Sequence, residues 1–180
     1  WNLETVAEIR VGINTRNIAV SSDGRYVMAA NYLPHDVVIL NANDLSLLKI
    51  IPATDEKGQS SRVSAVYDAA PRKSFVVALK DVPELWEISY DDNAPPIYSG
   101  LVHDYKMGEG IATPGKLNPK RTPLEATLDD FFFDQSYTNV IGASCEGKAQ
   151  VVNLNIRRKI ADLDLNGMPH LGSGITWERD

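Results

Sequence analysis

The residue of this chain best suited to chemistry is His170, an imidazole set in the run Gly167-Met168-Pro169-His170-Leu171-Gly172-Ser173-Gly174. Pro169 fixes its own φ, while Gly172 and Gly174 let the backbone turn and let a flat ligand come close. A loop of this composition can present an acid/base group. The plainer alternative is a solvated turn histidine. Two further histidines need weighing: His35, after Leu33-Pro34, reads as an exposed turn near a pocket rim, and His103, in Val102-His103-Asp104-Tyr105 at the mouth of an insertion, is a candidate ligand only if that loop folds over a bound molecule and otherwise a plain loop residue. The single cysteine, Cys145, falls in the turn Ala143-Ser144-Cys145-Glu146-Gly147 with no histidine beside it to make a thiolate, so a nucleophilic role is not expected. Asp129 and Asp130 are adjacent. Neighbouring strand residues point to opposite faces, so they predict no shared metal and read as a solvated turn.

Bulk composition narrows the field. With 180 residues, 43% hydrophobic and 23% charged, the chain can form one domain with a substantial core. A net charge of -6 and a pI near 5.1, without clustered Lys/Arg, argue against nucleic acid. One cysteine excludes an internal disulfide framework and any Cys-x-x-Cys-His attachment site for a c-type haem within the chain. No apolar run reaches the roughly 18 residues of a membrane helix.

The elements that must position these groups are short strands. Leu3 to Val11 alternates like a strand. Ile18 to Asn31 gives two β-rich runs joined by Asp23-Gly24, a strong hairpin signal, followed by Val37 to Leu40 and Ser46 to Ile51. A second set of four reads Val63 to Tyr67, Ser74 to Leu79, Glu84 to Ile88 and Ile97 to Val102. The third reads Phe131 to Asp134, Val140 to Ala143, Ala149 to Leu154 and Lys159 to Leu165. Four strands per unit at a spacing of roughly 45 residues predict an all-β fold, a β-propeller of four-stranded antiparallel blades. Trp86 and Phe131 to Phe133 read as core between blades. About three to four blades do not close a ring, so residues 1–180 are expected to be a partial propeller truncated at both ends. An insertion at 104–128 reads as a long loop in which Thr122-Pro123-Leu124-Glu125 starts a short helix as a capping box. His170 falls where the next blade should begin.

On these residues the chain resembles the haem d1 propeller domains of the cytochrome cd1 nitrite reductase family, from about Glu8 to Trp177. Arg10-Val11-Gly12-Ile13-Asn14-Thr15-Arg16 is similar to a family strand ending in an arginine that meets the cofactor's carboxylates, at Arg16. Asn31-Tyr32-Leu33-Pro34 is similar to an aromatic-proline corner, placing Tyr32 at the cofactor. Ser61-Arg62-Val63 matches a Pro-Arg-Val run, at Arg62. Pro169 to Gly174 resembles a Pro-His-Pro-Gly-Arg-Gly loop whose histidine lies over the distal face of the haem.

The resemblance implies haem d1 or dihydro-haem d1 as the ligand, and Arg16 and Arg62 as bidentate carboxylate clamps. It also implies His170 as distal acid/base, with Gly172, Gly174 and His103 near the cofactor. The reductases carry a second distal histidine in a Leu-His-Asp-Gly-Gly run. Here Leu128-Asp129-Asp130-Phe131-Phe132-Phe133-Asp134 has none, and Ser173 replaces the loop arginine. These departures favour the branch of the family that dehydrogenates a propionate of dihydro-haem d1 to an acrylate, which needs a base and an exit for electrons. Nitrite reduction and a non-catalytic binding or assembly propeller stay open as alternatives. The same resemblance implies a periplasmic protein, a c-type haem on a missing N-terminal domain, and cytochrome cd1 nitrite reductase or an electron-transfer protein as partner. The proximal iron ligand, the electron acceptor, the number of missing blades and the oligomeric state are not fixed by sequence.

Overall fold

The computed structural model describes residues 2–98 and 112–164. Three four-stranded antiparallel sheets follow one another along the chain. The first is β1 (Asn14–Val20), β2 (Tyr26–Leu33), β3 (Asp36–Asn41) and β4 (Leu47–Pro52). In the second, β5 (Val63–Ala69), β6 (Ser74–Leu79) and β7 (Glu84–Ser89) are joined by a later strand, β10 (Pro119–Pro123). Between β7 and β10, β8 (Ile97–Tyr98) and β9 (Ala112–Thr113) form a separate two-stranded ribbon. The third sheet is β11 (Asp130–Phe133), β12 (Asn139–Ala143), β13 (Ala149–Asn153) and β14 (Arg158–Leu163). The first strands β1, β5 and β11 lie side by side. This is the blade arrangement of a β-propeller.

Blade stacking explains the composition of the strands. The middle blade is covered on both faces, and every residue of its β6, Ser-Phe-Val-Val-Ala-Leu, is buried, which is why that strand reads as a continuous apolar run. One layer of core sets Met28, Val37 and Ile39 of the first blade against Phe75, Val77 and Trp86 of the second. A second layer sets Ala65, Val76, Ala78 and Leu85 against Leu128, Phe131, Val140 and Val152 of the third. Trp86 and Phe131 are core, as read from sequence; Phe132 and Phe133 are only half-buried. The hairpin at Asp23-Gly24 is fixed by Asp23, which accepts hydrogen bonds from Ser21 and from the amide of Arg25, with Gly24 at φ 71°. Arg25 then reaches Asp92 and the Tyr90 carbonyl, locking the first blade to the second.

Three expectations are corrected. The outer strand of the second blade is β10, not Ile97 to Val102, of which the described part pairs with Ala112–Thr113. An edge strand flanked by prolines and filled with Lys, Arg and Thr carries no apolar signal. The capping box at Thr122 forms no helix: Thr122 is buried and paired with Leu85, and the open edge of β7 outweighs the local helix-start signal. Leu3 to Val11 forms no strand either. Alternation needs a partner edge, and the first backbone bond to the sheet is made by Ile13, whose amide donates to the Leu33 carbonyl at 2.8 Å. No helix among the described residues is long and apolar enough to cross a membrane.

Because Phe75 is wholly buried between two blades, Phe75→Ala is expected to cost about 3–5 kcal/mol by loss of apolar burial and a residual cavity. Lys148→Ala, at an exposed ion pair, is expected to change stability by less than about 0.5 kcal/mol. Urea denaturation of the full-length variants measures both.

Candidate functional site

The antiparallel register brings the starts of the first strands and the ends of the second strands to one end of the blades. Asn14 pairs with Leu33, Val63 with Leu79, and Asp130 with Ala143. Polar residues from all three blades meet there. Arg62, just before β5, donates through Nε and Nη2 to Asp81, just after β6, and its backbone amide bonds the same carboxylate at 2.9 Å. Its guanidinium stands 5.4 Å from the centre of the Tyr32 ring, so the structure brings together two of the residues singled out from sequence. Arg62 is therefore already forked onto an acid. Only Nη1 makes no hydrogen bond to the described residues.

Beside it, Lys80 pairs with Asp129 of the third blade. The Asp129 side chain is 7% exposed, its Oδ1 takes the lysine, and its Oδ2 is buried with no hydrogen-bond partner among the described residues. Burial pushes this carboxyl up. The hydrogen bond and charge of Lys80, with the facing Cys145, outweigh burial and hold it below the usual range. Asp81 is held low first by its hydrogen bonds from Arg62. The Cys145 thiol is pushed up by Asp129, which agrees with the inert role expected of it.

Further along the same strands, Arg16 projects from β1 as an exposed side chain with no ion pair among the described residues. Its charge acts on the Tyr67 hydroxyl of β5, which donates to Asp130 Oδ1 of β11 at 3.0 Å. Gly142 of β12 lets β11 lie close against it, since a Cβ there would lie 2.7 Å from the Asp130 carbonyl oxygen. Asp129 and Asp130 do diverge as adjacent strand residues should, one to Lys80 and one to Tyr67. Both are buried, however, so the expected solvated turn is corrected: the blade-to-blade contact closes over them.

His35 lies at the rim with Nδ1 2.7 Å from Ser60 Oγ. His170, Gly172, Gly174 and His103 fall outside the described residues. No group of three or more His, Cys, Asp or Glu is placed to hold a metal among the described residues. A cleft of about 410 Å³ lies elsewhere, on the outer rim between Glu84, Tyr98, Arg121 and Arg157. Its arginine Arg121 already bonds Glu84 and the Thr54 carbonyl.

Comparison with known proteins places the chain in a family. The family model "Cytochrome D1 heme domain" matches residues 1–180. The chain belongs to the cytochrome d1 haem domain family. Dihydro-heme d1 dehydrogenase of Pseudomonas aeruginosa is 48% identical over 181 residues, covering 100% of this chain and 32% of that protein. Protein NirF of the same organism is 38% identical over 87 residues, 47% of this chain and 22% of its own. The solved dihydro-heme d1 dehydrogenase NirN in complex with DHE superposes with a TM-score of 0.78 at 47% identity over 95% of this chain and 32% of that chain. A Kuenenia stuttgartiensis hydrazine synthase, at TM-score 0.58 and 10% identity over 89% of this chain and 38% of its own, shares the fold. The chain thus spans about a third of the length of the dehydrogenases it matches.

Tyr67, Lys80 and Asp81 were not singled out from sequence, and a signal for two of them exists. Lys80 and Asp81 follow the second strand of their unit, as Cys145 follows that of the third and Tyr32 closes that of the first. The repeat marks one end of every blade. With Asp81 and Asp129 held low, the stability they contribute is complete above their unfolded value of about 3.9 and is lost as pH falls through and below about 4. The urea midpoint of the wild type should fall steeply between pH 5 and about 3, and that of Asp129→Asn less steeply. Lys80→Met, which leaves a buried carboxylate alone, should cost on the order of 3 kcal/mol at pH 7 in the same assay.

Proposed function

We propose that this chain is part of the ligand-binding propeller of an oxidoreductase that converts dihydro-haem d1 to haem d1, making a propionate side chain into an acrylate. The 48% identity to dihydro-heme d1 dehydrogenase across the whole chain carries the reading. The described residues fit a flat ligand rich in carboxylates. Arg16 offers a guanidinium that makes no ion pair among the described residues, and the acids at this end of the blades have donors: Asp81 from Arg62, Asp129 from Lys80 and Asp130 from Tyr67. When bound, the tetrapyrrole supplies the conjugated ring through which electrons leave the side chain.

The chain's own residues bind and move protons. Arg16 takes a ligand carboxylate as a bidentate pair. Arg62, held rigid by Asp81, presents Nη1 and the Tyr32 ring as a wall. The propionate gives up two protons and two electrons; His170 would accept one proton, the other would pass to water and the electrons to an external one-electron oxidant taken up twice, with Gly172, Gly174 and His103 as further cofactor-binding candidates. To the same reading belong a periplasmic location, a c-type haem on an N-terminal domain and cytochrome cd1 nitrite reductase or an electron-transfer protein as partner. The family and the names of the relatives support them.

The test is incubation of the full-length protein with dihydro-haem d1 and a one-electron oxidant, followed by mass spectrometry of the extracted tetrapyrrole. Loss of two hydrogens is expected, with little nitrite consumption by the haem d1-loaded protein. His170→Ala should slow conversion by about 10²–10⁴ while leaving tetrapyrrole binding near that of the wild type. Rapid nitrite turnover would identify a reductase instead. Binding without conversion would identify an assembly module.

A further inference from the structure

We propose that Lys80 is a carboxylate anchor of the candidate site, presenting its ammonium beside Arg62 so that one carboxylate of the ligand bridges the two cations. The proposal rests on the function given above and deepens its binding site. Arg62 and Lys80 face each other one step beyond the Val63 and Leu79 pair of the β5–β6 ladder, where the Lys80 amide donates to the Arg62 carbonyl at 2.9 Å. Side chains of opposed residues in an antiparallel pair start only about 5 Å apart. Two cations therefore leave the middle blade together, at the end where the centre of the Tyr32 ring lies 5.4 Å from the Arg62 guanidinium.

Each cation covers its own acid. The Lys80 side chain is 22% exposed against 7% for Asp129, and that of Arg62 is 41% exposed against 29% for Asp81. The positive heads are thus the outer members of both pairs, and an approaching anion meets them first. Both keep donors to spare among the described residues. Arg62 has Nη1, its Nε and Nη2 being forked onto Asp81. An ammonium carries three N–H groups, and Lys80 gives one of them to Asp129 Oδ1. Lys49 and Lys159, also laid against the blades, are each held by two partners: Lys49 by the Leu117 carbonyl and Asn118, Lys159 by Glu125 and Asp162. Burial works against the charge of Lys80, but the hydrogen bond and charge of Asp129 outweigh it, so the ammonium stays protonated at neutral pH. A carboxylate on the edge of a flat ligand fits these two heads, since each of its oxygens can take a charge-assisted hydrogen bond from one cation.

The test is absorbance titration of the full-length protein with dihydro-haem d1 and with the same tetrapyrrole as its methyl ester, thermal unfolding serving as a check on folding. Lys80→Met/Asp129→Asn removes the pair whole, leaving neither a lone buried charge nor a changed net charge. It is expected to weaken binding of the free acid about tenfold or more, and to leave binding of the ester within about threefold of the wild type. Asp129→Asn alone is expected to tighten binding of the acid but not of the ester, because Lys80 is no longer shared. A double variant that binds the acid like the wild type overturns the anchor. So does one that weakens acid and ester equally, since the pair is then only a strut between blades. If the double variant does not fold, Asp129→Asn decides alone, and acid binding that is unchanged or weaker overturns the anchor. A wild type that binds neither form overturns the functional reading itself, and the anchor with it.

Discussion

Everything in this molecule depends on one constraint: a twisted four-stranded sheet with apolar side chains on both faces needs a sheet on each side. The middle blade meets it within the described residues. Its Phe75, Val77 and Trp86 face the first blade, and its Val76, Ala78 and Leu85 face the third. The first blade shows the same chemistry on its far face, where Ile18, Val20 and Ile50 are half or more exposed although they share that face with Ala29 and Val38. The small residues of β5 and β6 set how closely the blades approach. Ala65, Ala69 and Ala78 admit Phe131 and Leu128, and that closeness lets Ser64 Oγ donate to the Leu128 carbonyl at 2.6 Å across the blade boundary.

Functional geometry is a by-product of that packing. Each blade begins its first strand at the same end, so residues distant in sequence become neighbours only when the blades stack. Lys80 and Asp129 are 49 positions apart, Tyr67 and Asp130 63 apart. The connections are all between blades or between the first two strands of a blade. Loosening the stack therefore removes the Lys80–Asp129 and Tyr67–Asp130 contacts together, while Arg62–Asp81, made within one blade, outlasts them.

Much of the architecture was legible because strand alternation and the Asp23-Gly24 turn are local. Blade period, the middle blade's apolar runs and the core role of Trp86 follow from side-chain pattern alone. The misreadings have a common cause. Pro119 to Pro123, Thr122-Pro123 and Leu3 to Val11 were judged on local chemistry, whereas an edge strand exists only if a neighbour offers an unpaired edge. The site was legible in part for the same reason. Arg62 and Tyr32 do meet, but that Arg62 is forked onto Asp81 depends on the register of β5 against β6, which no residue type announces. The burial of Asp129 and Asp130 depends on the third blade closing on the second.

The acidity of this end of the blades is then less opposed to a carboxylate-bearing ligand than its composition suggests. Three aspartates gather there, and counted as bare charges they would repel such a ligand. Counted with their partners they do not. Arg62 neutralises Asp81, Lys80 neutralises Asp129, and Tyr67 donates to Asp130. Pairing Asp129 and Asp130 with donors from the neighbouring blade thus permits burial of charged groups between stacked sheets, and it lessens the repulsion a carboxylate from outside would meet there.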